Sequence, residues 1–304
     1  MVMVMNFIKH SKLYFILAII AVALSAYSLF SFGLNLGIDF EGGSMITINY
    51  TSERPQLDEI RSSLSEIEEA SGMQVQPLGE SEILLKIKEQ DISSSAFSVI
   101  INALPGEFDT SIETISPVVG KELKDKTLIV VLVALLAMLA YIALAFNSVS
   151  KPISSIQYGI SSTLMLFHDL IIPLGVLAFL GYYYDIQINI PVITALLAIV
   201  GYSINNNIVI FDRIRENLKR ENKLSYSEIV NKSLNETFTR CLNTSFTVLL
   251  VLIPLYYFFT NEESLKYFTL IMGIGIFVGF FSSIFLSSPL LVAWNNHKNK
   301  KKQS

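Results

Sequence analysis

The sequence predicts a polytopic α-helical membrane protein, with six transmembrane helices and one small α+β domain between helices 1 and 2. Three observations carry this reading. The 304 residues are 52% hydrophobic and only 16% charged, with a mean hydropathy of +0.52, greasier than a soluble domain of this length. Six apolar runs reach the ~20 residues that a helix needs to cross a hydrocarbon core of ~30 Å. The charges are segregated: residues 33–126 hold 17 acids and 7 bases, so the net charge of −4 hides an acidic region and basic loops.

Several function classes lose support at once. A single cysteine, Cys241, excludes an internal disulfide or a cysteine metal cluster. His10, His168 and His297 are far apart, and no H-E-x-x-H spacing, P-loop lysine or G-x-S-x-G elbow occurs. We therefore expect no enzyme activity, no cofactor and no metal. The basic residues read as topology signals, with no nucleic-acid partner.

Residues 1–12 are a short basic N-terminus, and residues 13–32 form the first span. A signal peptide would have a shorter apolar core, and Ala26-Tyr27-Ser28 is a weak cleavage site, so the span is read as uncleaved. Residues 33–126 are the polar domain. Residues 37–50 read as a strand in which Met45, Thr47 and Asn49 alternate with Ile46, Ile48 and Tyr50. Leu57, Ile60, Leu64, Ile67 and Ala70 share one helical face, closed by Gly72. A strand at 73–78, a turn at Gly79-Glu80 and a strand through Ile83, Leu85 and Ile87 follow. A helix at 93–104, stopped by Pro105-Gly106, leads to a last strand at 108–115. The order β-α-β-β-α-β suggests a split-βαβ, ferredoxin-like sandwich. Its acids read as a solvated face.

The second span covers residues 127–147. After a tight loop, Pro152 opens the third at 153–180, which carries His168-Asp169 and then Pro173. An ionised Asp near mid-span costs about 2.5–3.5 kcal/mol. Pro173 has no N–H, so the carbonyl of residue 169 loses its helix partner. Asp169 is read as a functional carboxyl, against the alternative of a protonated acid bonding a neighbouring helix. Residues 181–189 form an aromatic interfacial loop. The fourth span, 190–211, carries Gly201, Tyr202, Ser203, Asn205, Asn206 and Asn207 near its end and leaves through Asp212, Arg213, Arg215 and Glu216. The amides are interhelical glue at ~0.6–2 kcal/mol each or a polar relay; the stretch alone leaves both open. Residues 212–238 read as an amphipathic helix pair on the membrane surface. The fifth span, 240–259, opens with Asn243, Thr244, Ser245 and Thr247, level with the amides and able to pair with them. The sixth, 265–294, repeats Gly275, Gly279, Ser283 and Ser287 every four residues, a stripe that lets helices approach closely. Residues 295–304 are a basic tail.

With both termini cytoplasmic, 14 of the 22 Lys and Arg lie in cytoplasmic segments and the short outer loops carry only Lys266. The acidic domain then faces outside.

Three motifs resemble a known family. Gly37-Ile38-Asp39-Phe40-Glu41-Gly42-Gly43 resembles the motif after the first span in SecF, the smaller half of the SecD–SecF protein-export complex. His168-Asp169 resembles that family's third-span pair. Gly201-Tyr202-Ser203-Ile204-Asn205 through Asp212-Arg213-Ile214-Arg215-Glu216-Asn217 resembles its fourth-span signature. The resemblance covers nearly the whole chain. It implies a resistance-nodulation-division (RND) type half in a prokaryotic cytoplasmic membrane, paired with SecD. Such a complex assists late export of unfolded polypeptides at the SecYEG channel, coupled to a proton or sodium gradient. Where the family has Asn-Asp, however, this chain has Asn205-Asn206. That Asp is the one to which the family reading assigns the proton, and an amide does not titrate. Asp169 and SecD carry the relay, or this half is a passive scaffold, or the residue was altered. A stand-alone RND-type exporter is the competing function.

Overall fold

The structure is a computed structural model that describes residues 5–78, 81–87, 93–145, 153–221, 223–259 and 263–303. The expected turn at Gly79-Glu80, the loop at 147–151 and Pro152 lie outside these residues.

Six helices are long and apolar enough to cross a membrane. They are α1 (Ser11–Phe32), α5 (Pro117–Ala145), α6 (Ser155–Tyr184), α7 (Ile190–Arg220), α8 (Tyr226–Phe258) and a sixth built in three pieces. The pieces are α9 (Glu263–Ser282), a π-helical stretch (Ser283–Ser287) and α10 (Ser288–Gln303). Half of the apolar window is buried in α6, α7 and the sixth span, against 17% in α1 and α8 and 6% in α5. The first three therefore form the centre and the others its rim. Small residues set the close approaches. A Cβ on Gly175 would collide with Ser25, whose neighbour Ser28 donates its hydroxyl to the Gly175 carbonyl at 2.8 Å. A Cβ on Gly275 would collide with Ile199. The small-residue stripe is thus used inside the chain, against α7.

Between α1 and α5 lie α2 (Ile38–Glu41), β1 (Gly43–Tyr50), α3 (Leu57–Ser65), β2 (Gln74–Leu78), β3 (Glu82–Ile87), α4 (Ser94–Ala103) and β4 (Phe108–Ile115). The sheet order is β2-β3-β1-β4 and every pairing is antiparallel. This is the split βαβ arrangement expected from the element order. Ile46 faces Leu85 and Ile48 faces Ile83 across β1 and β3, and all four are fully buried with Ile60 and Ile100 from the two helices.

Local differences from the sequence reading have physical causes. The strand begins only at Gly43, because residues 38–41 coil into one helical turn ended by Gly42 at φ 80°. The first domain helix breaks after Ser65. Ile67 turns extended (φ −108°) to pack on the core, and Glu68–Ala70 resume as a 3-10 turn. Helix α5 starts at Pro117, ten residues before the expected span. Proline suits a first helical position, and the Ser116 hydroxyl accepts from Val119 N. Helix α6 runs on to Tyr184, so Tyr182, Tyr183 and Tyr184 are helical.

The largest difference lies at the far end. Residues 212–238 are not a separate surface pair. They are the continuations of α7, which ends at Arg220, and of α8, which begins at Tyr226, packed as a helical hairpin. Their apolar positions Ile214, Ile229 and Leu234 are buried with Phe7 in the bundle, so the amphipathic pattern records packing between helices.

Candidate ion-coupling site

Asp169 sits in the middle of α6 with no solvent exposure. Its Oδ2 accepts from the hydroxyls of Ser203 on α7, at 2.5 Å, and Ser282 at the end of α9, at 2.7 Å. Its Oδ1 lies 2.8 Å from His168 Nδ1. A carboxyl taken out of water is costly unless hydrogen bonds replace its solvation. Here three side chains on three helices do so, and Gly279 packs beside them: its Cβ position is 3.6 Å from Asp169 Oδ2. Pro173 lies inside the same helix one turn on, and the π-helical stretch starts immediately after Ser282. Pro173 lacks the N–H that would bond the carbonyl of residue 169, and π-bulges recur at functional sites.

The residues expected at this site separate. Asp169, His168 and Ser203 come together. Ser282 joins them, and the sequence reading missed it. It stands one place off the four-residue stripe but three residues after Gly279, so ordinary α-helical spacing sets both on the side facing Asp169. Consecutive helical residues point about 100° apart, so the three amides diverge. Asn205 is exposed and lines a groove of about 470 Å³ with Ala198, Gly201, Tyr202, Thr244 and Thr247. Asn206 is 3% exposed, and neither amide bonds the carboxyl. Asn207 is 1% exposed, with both amide atoms lacking a partner. The hydroxyls expected to pair with the amides do not. Thr244 and Thr247 bond carbonyls of their own helix, and Ser245 Oγ is buried without a partner.

The other motif residues build the two ends of the bundle. Asp39 Oδ2 accepts from Ile190 N at 3.1 Å and caps α7. Gly37 N donates to Ile188 O at 2.9 Å, beside a bridge between Leu36 and Ile188. Phe40 is buried with Leu177, Ile188 and Val192. Gly42 and Gly43 have φ of 80° and 147°. A Cβ on Gly120 of α5 would lie 2.8 Å from Gly42 N, so this turn needs glycine on both sides. At the far end Arg213 pairs with Glu216 and, at 2.7 Å, with Glu236 of α8. Asn217, 2% exposed, donates to Ser233 and Glu236. Arg215 pairs with Asp212 at 2.9 Å. The charged motif is the clamp of the α7–α8 hairpin. Gly275 and Gly279 face α7, and Ser283 Oγ reaches Ser203 O at 3.5 Å.

Fold and site define a multi-pass membrane protein with a hydrogen-bonded carboxyl at the meeting of its three central helices and an α+β domain seated on one end. The comparisons with known proteins say which. Residues 102–297 match the family model described as "Protein export membrane protein SecD/SecF, C-terminal", and residues 27–53 match the "SecD/SecF GG Motif". The protein translocase subunit SecF of Thermobaculum terrenum is 35% identical over 297 residues, 93% of this chain and 92% of that one. The subunit SecDF of Thermus thermophilus is 34% identical over 98% of this chain and 40% of its own. The crystal structure of SecDF from the same organism, titled a translocon-associated membrane protein, superposes with a TM-score of 0.79 at 34% identity. The match covers 96% of this chain and spans 39% of the length of that one. The chain belongs to the SecD/SecF family of protein-export membrane proteins.

Proposed function

We propose that this chain is the SecF-type half of a two-part translocase that assists late export of unfolded polypeptides through the SecYEG channel, drawing on the ion gradient. The single observation that carries the coupling is Asp169, wholly buried and held by Ser203, Ser282 and His168. With an amide at Asn206, Asp169 is the carboxyl this half offers to a proton inside the bundle. An RND-type arrangement places the second half, SecD, against the groove at Tyr202 and Asn205 and the exposed apolar faces of α5 and α8. The SecDF relative supports that partner, because it carries a matching region within a longer chain. The lysine and arginine asymmetry supports cytoplasmic termini and an outer α+β domain in a cytoplasmic membrane.

The test is export into membrane vesicles containing this chain with SecD, with and without a proton gradient. Asp169→Asn keeps size and two hydrogen bonds, so the complex should co-purify while gradient-dependent export falls at least tenfold. A second reading, a scaffold half, is favoured by Asn206 and by how fully Asp169 is hydrogen-bonded. It predicts wild-type coupling in Asp169→Asn.

A further inference from the structure

Asp185 closes α6 in the left-handed region (φ 53°, ψ 29°), the one non-glycine among the described residues with positive φ. Asp tolerates that region better than most residues, and here its acceptors all find donors. Asn35 Nδ2, on the stretch leaving α1, donates to Oδ1 at 2.8 Å. Gln74 Nε2, at the start of the edge strand β2, donates to Oδ2 at 2.5 Å and to the Asp185 carbonyl at 3.1 Å. One loop residue thus joins the helical bundle to the α+β domain. A further attachment, beside the Asp39 and Gly37 contacts, is the close packing of Gly120 on Gly42 and Phe40, where the chain passes between domain and bundle. A cleft of about 700 Å³, lined by Arg61, Glu68, Gln74, Gln76, Tyr184 and Asp185, lies beside the clasp. A pivot at Gly42 and a polar clasp at Asp185 are the parts of a hinged domain.

The clasp also lies on the path from the buried carboxyl. Asp169 joins α6 to α7 through Ser203. The same two helices meet again at residues 185–189, where Asp39 caps the first turn of α7. A change in the Asp169–Ser203 spacing therefore shifts the two helix ends that bracket Asp185. We propose that Asp185 is a positioning residue: it holds the α+β domain against the bundle and passes rearrangement at Asp169 to that domain. This rests on the reading of Asp169 given above.

The test uses the full chain with its partner half in bilayers, spin-labelled at Ser62→Cys and Phe258→Cys, both exposed, with Cys241 left in its buried position. Wild type should give one narrow distance distribution. Asp185→Gly keeps access to positive φ but removes the carboxylate, and Gln74→Ala leaves the loop intact. Both should broaden the distribution at least twofold and cut gradient-dependent export at least fivefold. Asp185→Asn, which keeps one acceptor oxygen and suits the same φ, should recover most of both. An unchanged distribution in both clasp variants overturns the proposal, and so does a broadened one with undiminished export. Wild-type export in Asp169→Asn overturns the coupling reading itself. With that export abolished, a wild-type distribution in Asp185→Gly and Gln74→Ala sinks only the clasp.

Discussion

The α+β domain buries chiefly apolar side chains, whereas the helical bundle buries many polar ones beside its apolar core. In the domain, Ile46, Ile48, Ile83, Leu85 and Ile100 are fully buried, while Glu53, Asp58, Glu59, Glu66, Glu107 and Asp109 face outward. In the bundle, Ser161, Asp169, Ser203, Asn207, Ser282, Ser283 and Ser287 are buried at 0–1% exposure, while Phe30, Leu144 and Phe258 stand 92%, 75% and 85% exposed. The solvent decides the difference. Water drives apolar surface inward in the domain. Lipid is as apolar as leucine, so the bundle gathers small and polar side chains where helices touch. The same substitution should therefore act differently in the two regions.

The largest effect should come from volume in the bundle. Gly175→Leu puts a side chain where Ser25 already sits, at a close approach of α1 to α6. We expect no monodisperse protein after detergent extraction. Recovery at wild-type yield would mean that α1 can reseat. Gly159→Leu serves as control, because nothing lies within 4 Å of its Cβ position.

A smaller effect is expected from volume lost in the domain. Its core is closed by residues 46–108, so residues 36–118 expressed alone should fold as a soluble unit with a cooperative thermal transition. Ile48→Ala should destabilise that fragment by about 2–5 kcal/mol. A fragment without a cooperative transition would show that the domain depends on the bundle, and would erase the contrast drawn here.

The smallest structural effect should follow loss of one hydroxyl at the buried carboxyl. Ser282→Ala removes one donor from Asp169 and leaves a side chain that suits the small-residue seam. It should cost about 1–3 kcal/mol and weaken gradient-dependent export several-fold, less than Asp169→Asn. If Ser282→Ala matched Asp169→Asn in export, or had no effect on it, the hydroxyl would not be tuning the carboxyl.

Much was legible in the one-dimensional pattern, for identifiable reasons. The six spans follow from run length, because a bilayer of ~30 Å demands ~20 apolar residues whatever their order. The domain's strands and helices follow from periods of 2 and 3.6, because one face of each meets a core. That Asp169 must be met by hydrogen-bond donors follows from the cost of a bare carboxyl in hydrocarbon. The rest depended on which faces meet. Residues 212–238 looked like a surface helix pair because charge alternates with apolar side chains. Only packing shows that Ile214, Ile229 and Leu234 turn toward the bundle while Arg213 and Glu236 clamp two continuous helices. Asn205, Asn206 and Asn207 looked like one polar cluster, yet a helix sends neighbours in different directions. Ser282 shares a helical face with Gly275 and Gly279, but that Asp169 lies opposite this face depends on how three helices pack.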